Sequence, residues 1–467
     1  MKGDFSRVTF DPRKNFTRVL MQQGRVQLDA DWNEQAAILL HYLRTLAADV
    51  IGPFGGPAKE DGSPGEGFQI AAVDVNGKRS LTIGPGHYYV DGLLCENPGD
   101  ADRKPIDYSK QRDYPEPGNL PDKLPFLAYL DVWERHITWV QDDAIREVAL
   151  GRLDTATRAQ LVWQVRAVRE APGVGVVGET KDAVMGQWQK WVSFWQPPNR
   201  GKLKARARME GDDTDPCTAS PEARYRGAEN QLYRVEIQAY EVSPDGTKAV
   251  TFKWSRDNGS VIFPIRTFRG MTAQLGSLGR DEATGLKRGD WVELVDDVID
   301  LSGKPGPLLK VADIDAARAT VTLEKAVGDN VNLPDYDEPD EATRKHAFLR
   351  RWDHQEAAYK KKEDTRPPKG GVLFVFGEAG DGWLSLEKGV QVQFQPEGTY
   401  RPGDYWLIPA RTATGDVEWP GTVKEPEAVP PHGVEHHFAP LALVTAGAAS
   451  VVDLRRSFEG LAKSEPA

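Results

Sequence analysis

The sequence predicts a mainly β, multi-domain fold of β-sandwich and small-barrel units, with an N-terminal extended arm and one long amphipathic helix. Three observations lead there. Short apolar runs alternate with turn residues along most of the chain, which holds 45 glycines and 33 prolines. Only the segment starting at Asp29 or Asp31 sustains a long helical period. At 467 residues the chain exceeds what one ordinary core serves.

Residues Phe5 to Leu28 show no helical period, and Arg18-Val19-Leu20-Met21 and Arg25-Val26-Gln27-Leu28 read as short extended pieces around Gly24. The helix follows. Asp29 or Asp31 can cap it, Glu34 favours its positive end, and Gly52-Pro53 stops it. Trp32, Ala36, Leu39, Leu43, Leu46 and Val50 fall in alternating steps of four and three, the a/d seam by which helices pack on one another. Ile38, Leu40 and Ile51 offer the alternative, a helix lying on its own sheet.

Leu81-Thr82-Ile83, His87-Tyr88-Tyr89-Val90 and Leu93-Leu94-Cys95 read as strands separated by Gly84-Pro85-Gly86 and Asp91-Gly92. Phe126 to Glu134 is a strong strand, Asp142 to Leu150 a short helix ended by Gly151, and Leu161 to Val168 an alternating strand. Residues 171 to 215 read as an insertion whose Val184, Trp188, Trp191 and Trp195 share one helical face. Those aromatics form either a satellite core or a binding surface. Strands resume at Leu232 to Ala239 and Val250 to Trp254. Runs at 289–294, 308–311 and 319–323 predict a small barrel. Runs at 372–376, 390–394 and 405–408 return the chain to β-structure before a frayed tail from Ser464. The resulting domain reading is 1–60 (arm and helix), 61–280 (main β domain), 281–335 (barrel), 336–370 (charged linker or helix) and 371–467 (C-terminal β domain).

The charge balance, 59 basic against 70 acidic residues, argues against nucleic acid as partner. The basic run Lys202 to Arg208 alternates with small or apolar residues, as one solvated strand face does. Cys95 and Cys217 are too few for a disulfide scaffold, and Cys95 lies in an apolar run suited to a buried thiol. The opening residues lack a secretory apolar core and no stretch suits a membrane span, which predicts synthesis in the cytoplasm.

No phosphate loop, dinucleotide fingerprint, nucleophile elbow or zinc-protease motif is present, so the expectation is a non-enzyme without a cofactor. Asp29, Asp31 and Asn33 open like a calcium loop, but Glu34 stands where glycine is needed. His432, His436 and His437 are the densest group of nitrogen donors, yet Pro430-Pro431 puts them on a loop and no further ligand is spaced to complete a site.

Met1-Lys2-Gly3-Asp4-Phe5, together with the run Val19 to Gln35, resembles the opening of a family encoded beside phage-tail-like contractile injection systems. Leu130 to Arg135, Asp154 to Arg158, Glu229 to Glu236, Phe252 to Gly259, Gly403 to Arg411 and Pro430 to Gly433 fit the same family. The resemblance runs to about Phe458 and implies a structural subunit at or near the baseplate, incorporated into a particle open to release from the cell. It brings no catalytic residues with it. The predicted assembly surface comprises Phe5 and Phe10 on the arm and Trp32, Ala36, Leu39, Leu43, Leu46 and Val50 on the helix. The predicted partners are other particle subunits and further copies of the chain, a trimer ahead of other symmetries. The alternative is a receptor- or glycan-binding module presenting Trp188, Trp191 and Trp195.

Overall fold

The computed structural model describes residues 1–75, 77–208, 225–242, 248–281, 284–325, 333–336, 340–354, 373–374, 382–446 and 451–460. It is mainly β, with 39% of residues in strands and 15% in helices. Two compact units share the chain. One holds Met1–Val8, His136–Arg158 and Asn199–Val434; the other holds Thr9–Arg135, Ala159–Pro198 and Glu435–Ala467.

The first unit contains a sandwich and a barrel. A five-stranded sheet runs in the order Leu373–Phe374, Lys248–Ser255, Gln231–Val242, Tyr405–Arg411, Asp416–Val417. A three-stranded sheet runs Leu203–Ala207, Val390–Phe394, Leu384–Ser385. Alternation along each strand turns Val235, Ile237, Phe252, Val392, Phe394 and Trp406 into one shared core. The barrel closes in the order Ile262–Arg269, Thr272–Leu275, Thr320–Lys325, Leu308–Asp315, Trp291–Val295, Phe348–Trp352. Its interior holds Phe263, Phe268, Val292, Leu294, Val321 and Leu349. Closure removes the sheet edges that would otherwise invite pairing.

Among the described residues the second unit holds four small sheets, one of them built on Phe126–Ile137. That strand is buried at nearly every position because both of its faces are covered. Phe126, Ala128, Leu130 and Val132 enter the main core with Phe68, Leu81, Val90 and Cys95. Leu127 and Tyr129 point the other way, under a helix, α2, at Lys181–Trp195. In its sheet the strand lies between His437–Val444 and Arg158–Val168.

Several sequence expectations differ from this architecture. The boundaries at 281 and 335 cut through the barrel, whose first two strands and last strand lie outside them. Residues 371–467 form no domain of their own. Val390–Phe394 pairs with Leu203–Ala207, Tyr405–Arg411 with Gln231–Val242, and His437–Val444 with Phe126–Ile137. Sheet pairing joins strands far apart in sequence, so a run of consecutive strands does not mark a domain. Asp142 to Leu150 forms two separate 3₁₀ turns rather than one helix, the second closed by Gly151 in the left-handed region at φ +73. The basic strand is not a solvated face: Arg206 is buried, with its guanidinium 3.8 Å from the Trp383 ring centre and its Nε donating to Gln391 Oε1 at 2.9 Å. Residues 209–215 of the insertion, Cys217, most of 336–370, Val372, Val375-Phe376 and the tail from Ser464 lie outside the described residues.

Candidate functional site

The predicted long helix, α1, spans Asp29–Ile51. At 1.5 Å per residue its 23 residues reach roughly 34 Å. Leu28 precedes it without a side-chain cap; Asp29 and Asp31 lie inside the first turn, where they complement the dipole rather than cap it. Gly52, at φ +92, ends it by donating its N–H to the Ala48 carbonyl. Three contacts seat the helix on its own unit. Ala30 and Ile38 are buried. Arg44 makes a two-pronged pair with Glu134, Nη2 to Oε1 at 2.7 Å and Nη1 to Oε2 at 3.3 Å. The Asp91-Gly92 turn comes so close that a Cβ on Gly92 would lie 2.0 Å from the Arg44 carbonyl oxygen.

These contacts use one face and leave the other bare. Trp32 is 78% exposed, and Leu39, Leu43, Leu46 and Val50 are each about half exposed. Ala36 lies exposed between them. The predicted seam is therefore continuous and faces away from the core of its own unit.

The arm lies beside the helix. Thr9 Oγ1 donates to Glu34 Oε2 at 2.6 Å, the Phe10 and His41 rings sit 5.6 Å apart, and the Val19 N–H donates to Gln35 Oε1 at 2.8 Å. Between these anchors Pro12–Lys14 forms a 3₁₀ turn that ends on Asn15 in the left-handed region. From Phe16 to Leu28 the described backbone joins no strand. Phe16, Leu20, Met21, Val26 and Leu28 are all exposed, Val26 at 83%.

Two predicted interface residues turn inward. Phe5 belongs to the other unit, packed on Leu232, Tyr405 and Leu407, with its ring 6.1 Å from that of His136. Phe10 is half-buried against His41. Both rings are occupied within the chain, which removes them from the assembly surface.

An exposed aromatic ring carries roughly 200 Å² and a leucine-sized side chain roughly 100 Å² of apolar surface. Scaled by their exposures, the stripe of α1 with Leu40 and Tyr42 offers on the order of 550 Å², and the arm about 350 Å² more. Together they match the roughly 800 Å² per partner of a stable interface.

The chain belongs to DUF6519, a family of unknown function. The family model matches residues 1–189 and 197–452, and so includes the arm and α1. No curated protein and no solved structure matches the chain.

The DUF6519 match leaves out residues 190–196, the second half of α2, where Trp191 and Trp195 stand. These tryptophans do not form the surface weighed above. Trp191 is fully buried, and Trp195 stacks on Tyr129 with ring centres 4.0 Å apart and lies 4.9 Å from Phe438. Trp188 lies 6.3 Å from Phe54 and 5.8 Å from Trp195. The three cover Leu127 and Tyr129 as a satellite core, because the second face of that strand needs an apolar cover.

His432, His436 and His437 of the DUF6519 chain take separate partners. His432 stacks on Tyr405 at 5.8 Å, and burial pulls its pKa down to about 4. His436 Nδ1 lies 2.6 Å from Asp131 Oδ1, and His437 Nδ1 lies 2.9 Å from Asp91 Oδ2. No three metal-ligating side chains gather among the described residues.

Sequence reasoning missed a buried ionic cluster in the first unit. Lys253 Nζ lies 2.9 Å from Glu293 Oε1 and 3.5 Å from Glu236 Oε1. Glu236 also pairs with Arg234 Nε at 2.6 Å and Lys2 Nζ at 3.2 Å. Desolvation pushes the Glu236 carboxyl up, but Lys2, Arg234 and Lys253 outweigh it and hold the group below the usual carboxylate range. Glu293 is shifted the same way against its own desolvation, chiefly by Lys253. The signal lay in strand periodicity, since Arg234 and Glu236 share one face of their strand, opposite the apolar face of Tyr233, Val235 and Ile237, and Lys253 stands opposite Glu236 in the ladder. With its carboxylates ionised and paired, the cluster organises the fold rather than moving protons.

Proposed function

We propose that the protein is a non-enzymatic assembly subunit of a phage-tail-like contractile injection particle, at or near the baseplate, docking through the arm and α1. One observation carries this reading. Among the described residues, thirteen of the twenty-three exposed large apolar side chains fall within the first fifty positions. A contiguous apolar surface of several hundred Å² is far more than scattered exposure and marks a binding face. The resemblance of residues 1–5 and 19–35 to a family encoded beside such particles supplies the context, and this is the same arm and helix start. Synthesis in the cytoplasm followed by incorporation into the particle fits the reading.

The test replaces Leu39 and Leu43 together by aspartate in cells that make the particle, followed by purification and a search for the chain in the particle fraction. Both side chains are exposed, so the substitution removes no core contact of the chain. Its loss from the particle is the expected result; incorporation at the wild-type level refutes the proposal.

A further inference from the structure

The geometry points to a second copy of this chain as the occupant of the α1 stripe, the two helices parallel and in register, with residues 16–28 of each copy clasping its neighbour. This rests on the assembly reading above and names the partner within it.

The helix divides into two faces. Trp32, Leu39 and Leu46 occupy d positions of a heptad and Ala36, Leu43 and Val50 the a positions. The buried or half-buried Ala30, Asp31, Glu34, Ala37, Ile38, Arg44, Ala48 and Ile51 occupy b, c and f, and Gln35 at g and Ala47 at e are half-buried at the flanks, so the domain takes mainly the face that a coiled coil leaves free.

The flanking charges agree with this division. In coiled coils the e and g positions choose the partner through opposite charges. Here e holds Asn33, Leu40 and Ala47, and g holds Gln35, Tyr42 and Asp49. Five of these six are uncharged, so nothing selects a partner of different sequence and little repels an identical one.

Shape and area complete the case. In parallel register each Trp32 layer lies next to the Ala36 layer, where the small side chain leaves room for the indole. The helix stripe alone, on the order of 550 Å², falls short of the roughly 800 Å² a stable partner needs, and the arm's exposed Phe16, Leu20 and Met21 close the gap.

The purified full-length chain should sediment at micromolar concentration as a whole-number multiple of its own mass. Leu39→Asp with Leu43→Asp should weaken self-association at least about a hundredfold, because each carboxylate would be buried unpaired, with an unchanged circular dichroism spectrum. Leu20→Asp should weaken it by about tenfold, as a peripheral contact does. In a Cys217→Ser background, Val50→Cys should form a disulfide between copies on mild oxidation, since only parallel register brings residue 50 opposite itself. Leu39→Ala with Leu43→Ala repeats the mass measurement should the aspartates disturb folding.

A wild-type monomer overturns the inference. If Leu39 and Leu43 are still required for incorporation, the particle reading stands with a different subunit in the groove. An oligomer that does not depend on Leu39 and Leu43, or one in which Val50→Cys fails to cross-link, also overturns it. Self-association by a chain absent from the particle supports the inference and removes the particle reading alone.

Discussion

Replacing Lys253 by methionine tests how the sandwich and the barrel of the first unit hold their buried charges. Lys253 is fully buried, with its ammonium 4.5 Å above the Trp352 ring. Methionine keeps the unbranched apolar stem and removes only the cation. Glu236 retains Arg234 and Lys2. Glu293 loses its nearest cation and keeps the field of Lys2 and two neutral donors, the Gly306 N–H at 2.8 Å and Trp352 Nε1 at 2.9 Å. Breaking a buried pair costs about 3–5 kcal/mol, and the two remaining donors place this case near about 3 kcal/mol. Urea unfolding at neutral pH should show that loss. The wild-type Glu293 carboxyl is held below its ordinary value, so its contribution is present above about pH 4.3 and is lost as pH falls through the folded-state value. In the variant the carboxylate is instead a penalty that acid relieves, so the gap between the proteins should narrow below about pH 4. Adding Glu293→Gln to Lys253→Met should recover part of the loss. A change under about 0.5 kcal/mol, or a double variant no more stable than the single, would refute the account.

Three further outcomes follow from the geometry. Gly92→Ala places a Cβ 2.0 Å from the Arg44 carbonyl oxygen at a residue with φ +77, and thermal melting should report a loss of about 2 kcal/mol or more. Desolvation and then Asp353 raise the Asp257 pKa to about 6, so the stability this group contributes below its unfolded value of about 3.9 is lost as pH rises to 6. Asp257→Asn should therefore stabilise by about 2 kcal/mol at pH 7 and not at pH 4, in parallel denaturation series. Trp191→Ala opens a cavity among Val184, Trp195 and Leu127 and should cost about 3–5 kcal/mol in the same assay, whereas an exposed sugar-binding tryptophan would cost almost nothing.

The sequence made individual elements legible where the deciding physics is local. The strand at 126–137 announces itself by its apolar run, that at 231–242 by apolar residues at every second position from Tyr233 to Ala239, and α1 by steps of three and four ending in Gly52. What pairs with what is decided elsewhere. His437–Val444 reaches Phe126–Ile137 across some three hundred residues, and Ser457–Phe458 completes a sheet with Phe54–Pro57. Nothing in either run names its partner, so the domain boundaries were unreadable while the strands themselves were plain. Buried charge was hidden for the same reason: Arg206 and Lys253 look like solvated residues until Trp383 and Trp352 arrive to cover them.

The helix shows where that line falls within a single element. Its spacing fixes which residues share a face but not which face meets the core, because Ile38 and Ile51 point one way and the Leu/Trp seam the other. Glu134 and Gly92, from segments well downstream, settle the matter by gripping Arg44 and turning the smaller apolar face inward. Leu40, which the alternative of a helix on its own sheet counted as inward, ends up exposed beside the seam. A helix held for its own fold's sake would bury its larger apolar face, since that gives the greater gain. This one buries the lesser face and secures itself with an ion pair and a glycine contact, and its larger apolar face stays exposed.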